Sequence, residues 1–402
     1  MAVLRRFQVA SSPARRLAVG VGAGAVAAAA VLSCLALASG SSSASFAAVA
    51  GPPGTPSARS DATIGYDAAT KQVVMFGGMG PYGSLGDTWV FADLTWRQEH
   101  TSQAPAPRGD AAMAYDPKIR ALVLFGGWAT GNGADLDATW LWTGHAWERR
   151  STATFPVGID DQTVLQQDHM AYDAVSGKVV LVGIAGELEY QTCSAETWTF
   201  DGSTWQLQHP STELPASETA IVNESQTGHV LAVLTARDAI DNVRGGQSCP
   251  VGSSQARALP TSSTWRWTGS DWIQVSTGSE PDLGVDGDAA NGSLQSLQAV
   301  TGTSMLATGP NETLWSWNGG HWSRISGSAG GPPVTWASVQ ASDGDGVVVF
   351  GGSELPNGPD TAETWVWNAA QWRQVVSVGY APPTPTPVPP SQNPDVVTPA
   401  AA

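Results

Sequence analysis

The chain is predicted to be all-β, built from six copies of one four-stranded antiparallel unit. Three observations carry this prediction. First, the spacing W-x-[FW]-x4-W occurs six times without variation, at Trp89/Phe91/Trp96, Trp140/Trp142/Trp147, Trp198/Phe200/Trp205, Trp265/Trp267/Trp272, Trp315/Trp317/Trp322 and Trp365/Trp367/Trp372. Second, a block precedes each copy, clearest as GYDAATKQVVMFGG, AYDPKIRALVLFGG and AYDAVSGKVVLVGI. Its Tyr66/Phe76, Tyr115/Phe125 and Tyr172/Val182 pairs lie ten residues apart, and the same register falls on Asn223/Val233, Gln298/Thr308 and Gln340/Phe350. Third, the apolar runs are short and end in turn residues, as strands do and helices do not.

Taken in order, strand a of each copy ends near the tyrosine position. Strand b is the Val/Leu run up to a double glycine (Gly77-Gly78, Gly126-Gly127, Gly351-Gly352), strand c carries T-W-x-[FW], and strand d begins at the last Trp. The c-d connections include Asp201-Gly202 and Asn318-Gly319, dipeptides that accept the positive φ of tight hairpin turns. Four-stranded units recurring about every 55 residues predict a six-bladed β-propeller.

A double glycine ending the second strand, aromatics on the third and Trp opening the fourth resemble the kelch-repeat family, of the galactose oxidase central-domain type. The resemblance covers about Arg59 to Val378. The double glycine is absent from the fourth and fifth copies and half-lost in the third. Kelch-type blades stand radially and pack face to face, which explains the aromatic content: 16 of the 18 Trp lie in the motif and are expected between neighbouring sheets. Trp128 and Trp336 lie outside it, and Trp128, just after Gly126-Gly127, is a candidate ligand contact.

Connection lengths separate two faces. The a-b and c-d units are constant, whereas the span from strand b to the first Trp runs 13, 15, 16, 32, 7 and 15 residues. The span from the last Trp to the next tyrosine position runs 19, 25, 18, 26 and 18. In an antiparallel four-stranded blade these two connections emerge together, so one face is plain and the other carries every long loop, where binding residues usually sit. The largest insertion is Leu234 to Ser263. Cys193 and Cys249 lie in loops of adjacent copies on that face and are expected to form a disulfide.

The resemblance puts strand a innermost, with its first residues around the channel mouth. Asp61, Asp110 and Glu218 stand five residues before the tyrosine position, and Arg59 and Arg108 seven before it. Carboxylates mixed with two Arg suit a small polar ligand; strand-end salt bridges are the alternative. Asp282, Asp286, Asp288 and Asn291 place oxygen ligands near turn glycines, a weak Ca²⁺ candidate whose spacing is not that of an EF-hand loop. No H-E-x-x-H, paired C-x-x-C or G-x-S-x-G spacing occurs, and no cofactor is implied. The copper ligand set of galactose oxidase is not matched, nor is the arginine triad of sialidases.

Residues 1–50 read as a signal peptide or an N-terminal membrane anchor with a small-residue spacer. Arg5, Arg6, Arg15 and Arg16 precede an uncharged run from Leu17 to Ala38, and Ala36-Leu37-Ala38 and Ala48-Val49-Ala50 offer cleavage sites. Val31-Leu32-Ser33-Cys34 loosely resembles a lipoprotein box. Residues 51–58 are a linker, 59–378 the propeller, and 379–402 a Pro/Thr-rich tail expected to be extended. Without residues 1–50, 15 basic residues face 35 acidic ones, a net charge near −20 that argues against a nucleic-acid partner. The expectation is a monomeric, extracytoplasmic binding scaffold for a glycan, a small polar ligand or a protein, touching membrane only through its N-terminal segment. The alternative is a carbohydrate-active enzyme such as a sugar mutarotase, an activity found in six-bladed kelch propellers.

Overall fold

In the computed structural model the described residues are 54–130, 136–156, 166–187, 192–215, 219–234, 262–277, 297–300, 303–308, 313–325, 338–342, 346–352, 359–368 and 371–375. They contain strands and turns and no helix, so no helix among them is long and apolar enough to cross a membrane. The N-terminal segment, the Pro/Thr-rich tail and Trp336 lie outside them.

Among the described residues the strands form six four-stranded sheets, each antiparallel and in chain order, and one small hairpin. Sheet I holds β1 (Thr63–Asp67), β2 (Gln72–Phe76), β5 (Thr88–Ala92) and β6 (Thr95–Glu99), with the hairpin β3 (Met79–Gly80) and β4 (Gly83–Ser84) inserted between β2 and β5. Sheet II holds β7 (Ala112–Asp116), β8 (Ala121–Phe125), β9 (Thr139–Trp142) and β10 (Trp147–Arg150). Sheet III holds β11 (Gln166–Asp173), β12 (Lys178–Glu187), β13 (Thr192–Phe200) and β14 (Trp205–Leu207). Sheet IV holds β15 (Thr219–Asn223), β16 (Val230–Leu234), β17 (Ser263–Trp267) and β18 (Trp272–Thr277). Sheet V holds β19 (Leu297–Val300), β20 (Thr303–Thr308), β21 (Thr313–Trp317) and β22 (Trp322–Arg324). Sheet VI holds β23 (Val339–Ser342), β24 (Val347–Phe350), β25 (Thr364–Trp367) and β26 (Trp372–Gln374).

The first strands touch in a closed cycle, β1 to β7, β11, β15, β19, β23 and back to β1. Small sheets in a ring with their first strands innermost make the fold a β-propeller.

The invariant aromatic spacing has two physical causes. Within a sheet, the second aromatic of the motif lies directly opposite the last Trp, as in Trp142↔Trp147 and Trp267↔Trp272, and their ring centroids are 5.4 and 5.2 Å apart. Tilted and edge-on geometries at this distance are favoured by the ring quadrupoles. Between sheets, the last Trp donates its indole N–H to the Thr that directly precedes the first Trp of the motif, in strand c of the preceding sheet. Trp147 bonds Thr88 at 2.8 Å, Trp205 bonds Thr139 at 2.8 Å, Trp272 bonds Thr197 at 2.9 Å and Trp322 bonds Thr264 at 2.9 Å. Trp96 bonds Thr364 at 2.9 Å and so ties sheet I to sheet VI across 268 residues of chain. The position that would serve Trp372 is Leu314, which has no hydroxyl, and the buried Trp372 Nε1 has no hydrogen-bond partner.

A second pattern governs the first Trp of the motif. Its N–H bonds an acceptor two residues earlier: Asp87 for Trp89, Glu196 for Trp198, Ser263 for Trp265 and Glu363 for Trp365. Trp140 follows Ala138 instead, and its Nε1 is buried without a partner.

Two elements differ from the sequence reading. Strand b of sheet III does not stop at Val182 but runs on to Glu187 against an equally extended β13, because Gly183 sits within the strand, opposite Glu196, and makes no turn. The b-c connection of sheet I is a hairpin and not a plain loop.

Candidate functional site

Of the sites named from sequence, Arg59, Asp61, Arg108, Asp110 and Trp128 lie at the end of sheets I and II where β1 begins and β2 ends, since Thr63 faces Phe76 in the ladder. Strands a and b run antiparallel, so the b-c and d-a connections share this end.

Arg59 and Arg108 lie here, but turned inward. Arg59 is 1% exposed and Arg108 is fully buried. The Arg59 guanidinium donates to both carboxylate oxygens of Asp87 at 2.6 and 2.8 Å and to the Gly77 carbonyl at 2.8 Å. Arg108 donates to the Ala106 carbonyl at 3.0 Å and the Gly126 carbonyl at 3.0 Å. Burial raises the Asp87 pKa, but the hydrogen bonds and charge of Arg59 outweigh it, and the carboxyl lies below its ordinary value.

These arginines belong to a junction that also explains the double glycine. Gly77 and Gly78 have φ of 66° and 102°, and the Gly78 N–H donates to the Arg108 carbonyl at 2.8 Å. A Cβ on Gly77 would stand 2.3 Å from that carbonyl oxygen. The same junction joins sheet VI to sheet I, where the Gly352 N–H donates to the Arg59 carbonyl at 3.0 Å and a Cβ on Gly351 would stand 2.5 Å from it. Only glycine accepts both the positive φ and the close approach.

Two carboxylates follow the arginines. Asp61 and Asp110 hold the left-handed backbone at φ 51° and 54°, and the Asp110 N–H donates to the Asp61 carbonyl at 2.8 Å. Such φ values are uncommon outside glycine, though Asp is among the residues that tolerate them, and strained residues of this kind concentrate at functional sites. Asp110 is exposed and Asp61 largely buried. Asp360, which the sequence did not single out, is half-buried in the connection before β25. Burial and then the Asp61 charge push its carboxyl up to about 6, against a hydrogen bond from Ser60.

Two exposed aromatics lie on segments whose backbones pair with the residues next to Asp61 and Asp110. Trp128 is 36% exposed, and its backbone exchanges two hydrogen bonds of 2.9 Å with Gly109, next to Asp110. Tyr82, at the turn between β3 and β4, is 84% exposed. Sequence reasoning passed over it, although an aromatic in the turn sequence Gly80-Pro81-Tyr82-Gly83 is the signal that marks it.

His169 lies in β11, the innermost strand of sheet III, and burial holds its pKa down to about 4. At the opposite, plain end the buried Glu224 accepts both donors of Arg266 at 2.7 Å and the Trp317 indole at 2.8 Å. Burial raises Glu224, yet these bonds leave it below its ordinary value, which marks a structural ion pair. Glu218, Cys249, Asp282, Asp286, Asp288 and Asn291 lie outside the described residues. Of Cys193 only the strand position in β13, opposite Gly186, is described. Among the described residues no group of three or more His, Cys, Asp or Glu is arranged to hold a metal ion.

No family model matches the chain, and no curated protein matches it. Among solved structures it is similar to YjhT, with a TM-score of 0.49 and 13% identity over 80% of this chain and 99% of that one.

Proposed function

We propose that the chain is an exported or membrane-tethered, six-bladed kelch-type propeller that works as a binding scaffold through its loop-bearing face. Its ligand is a glycan, a small polar molecule or a protein partner. The observation that carries this reading is the frame at sheets I and II, where Tyr82 and Trp128 are held exposed on loops bonded to the sheet ends beside Asp61 and Asp110. In this reading the charge-free run from Leu17 to Ala38 supplies export or anchoring, and a Cys193–Cys249 disulfide ties Cys193, which lies in β13 and not in a loop, to the long insertion of sheet IV. Mass spectrometry of unreduced protein is expected to show that link, and two free thiols would remove it.

The scaffold is tested by a thermal-shift screen against sugars, sialic acids, cell-wall fragments and Ca²⁺. A ligand at about 100 times its Kd stabilises by about 2.7 kcal/mol, a shift of several degrees. That shift is expected to disappear when Tyr82 and Trp128 are both replaced by Ser. A shift that survives the double replacement puts the site elsewhere.

A second reading, a sugar-transforming enzyme, is favoured by one observation: Asp360, raised to about 6 beside Asp61, is suited to exchange protons near neutral pH. Under this reading the protein accelerates interconversion of sugar anomers and Asp360→Asn abolishes the acceleration. An unchanged rate in the variant would remove it.

A further inference from the structure

In four consecutive sheets the residue after the tyrosine position is a buried acid: Asp67, Asp116, Asp173 and Glu224. Each lies at the plain end, where strand a turns into strand b. Between sheets IV and V this acid reaches across, and Glu224 Oε1 accepts the Trp317 indole N–H at 2.8 Å. Trp142 of sheet II holds the place of Trp317 in the aromatic motif, each opposite its last Trp, and Asp67 of sheet I holds the place of Glu224. Here the direct bond is missing. Trp142 Nε1 and Asp67 Oδ2 are both buried without a hydrogen-bond partner among the described residues.

Side-chain length accounts for the difference. Asp is one methylene shorter than Glu, and Asp67 Oδ1 is taken by the turn amides of Ala69 and Thr70 at 2.9 and 3.4 Å. Its Oδ2 faces sheet II, because a Cβ on Gly144, two residues after Trp142, would stand 3.5 Å from it. A buried donor and a buried acceptor are each costly when unmade. What satisfies both must accept one hydrogen bond and donate another, as water does and a metal cation does not. The two interfaces between these lack one half of the pair. At II–III the indole is replaced by Phe200, so Asp116 Oδ2 is buried without a partner, and burial pushes that carboxyl up. At III–IV both Asp173 oxygens are engaged, by His229 Nδ1 at 3.2 Å and by the Ser176 N–H at 3.0 Å.

We infer that the interface of sheets I and II holds one ordered water, which accepts the Trp142 indole N–H and donates to Asp67 Oδ2. The water does at I–II what Glu224 does directly at IV–V, and it ties the plain ends of the two sheets together. This site stands whatever ligand the loop-bearing face takes.

The test is high-resolution crystallography of the whole protein together with NMR of its tryptophan-labelled form. One water is expected within hydrogen-bond distance of both Trp142 Nε1 and Asp67 Oδ2. In solution the Trp142 indole N–H, identified by its loss in Trp142→Phe, should show a nuclear Overhauser cross peak to a long-lived water. Asp67→Glu lengthens the acid to match Glu224, so the carboxylate should bond the indole directly, displace the water and remove the cross peak. A direct Asp67–Trp142 bond in the unaltered protein, a cation at the site, or an indole without a water cross peak would overturn the inference. A cross peak that persists in folded Asp67→Glu would overturn it too. Should that variant fail to fold, the crystal and the unaltered protein's spectrum still decide.

Discussion

Sheets VI, I and II share one device with sheets III to V and differ in another. All around the ring a last-strand Trp bonds the strand-c Thr of the preceding sheet wherever that Thr is present. Among the described residues, only the VI–I and I–II interfaces add the junction in which the second glycine of the pair donates its N–H to an arginine carbonyl of the next sheet. In sheet III β12 and β13 continue as a long hairpin, and the sequence register of Arg59 and Arg108, seven before the tyrosine position, falls on Leu165. Packing between sheets thus comes from the aromatic spacing together with the aliphatic residues of strands a and b, while the glycine–arginine junction stiffens the loop-bearing end, and does so where Tyr82 and Trp128 are displayed.

The largest expected effect concerns the shared device. Trp205→Ala removes a buried ring packed against Phe125 and Phe200 and is expected to cost about 3–5 kcal/mol in urea unfolding. Trp96→Ala should cost a similar amount, because the bond it loses is the same in kind; a cost near zero for either would break the shared account.

The next effect separates the two arcs. Gly77→Ala combines a positive φ with a carbonyl 2.3 Å from the new Cβ, and is expected to cost about 3 kcal/mol or more. Gly183→Ala, inside β12, should change stability by less than about 1 kcal/mol. Equal costs at the two positions would erase the distinction.

A smaller effect depends on pH. Asp360 is raised to about 6 in the folded protein, so folding is disfavoured increasingly as pH rises from its ordinary carboxylate value through about 6. Asp360→Asn should therefore stabilise by about 1 kcal/mol at pH 8, after allowance for its partial exposure, and by nothing below pH 4. His169 works in the opposite sense. It is held neutral to about 4, so its contribution is complete above about 6.5 and is lost as pH falls toward 4. Chemical denaturation of both proteins across pH 4–8 measures the difference.

The smallest effect fills a gap in the ring. Leu314→Thr supplies the hydroxyl that the buried Trp372 indole lacks, and a gain of about 0.5–1 kcal/mol is expected. A loss would mean that the unsatisfied Trp372 indole is not what this interface lacks.

Much of this frame is legible in the sequence, because repetition converts local choices into a spacing that can be counted. The four-strand unit, the aromatic positions and the loop-bearing face all follow from intervals that never change set against intervals that do. The arginines were harder to read. Their position before strand a was visible, but the direction of the side chain depends on the left-handed turn at Asp61 and on the Asp87 carboxylate 28 residues away. Asp360 meets Asp61 only when the last sheet closes on the first, a long-range contact that no local pattern announces. Gly80-Pro81-Tyr82-Gly83 marked a turn, whereas the exposure of its aromatic follows from the Ser84–Thr130 bonds between two sheets.

The most direct test is residue-resolved hydrogen exchange of the native protein. The amides of Gly78, Leu85, Arg108, Gly109 and Trp128 all donate to backbone carbonyls within the loop-bearing end of sheets I and II. If that end is a rigid platform, these amides exchange as slowly as those of β2 and β8. Exchange at the rate of open loops would contradict a preformed binding surface there.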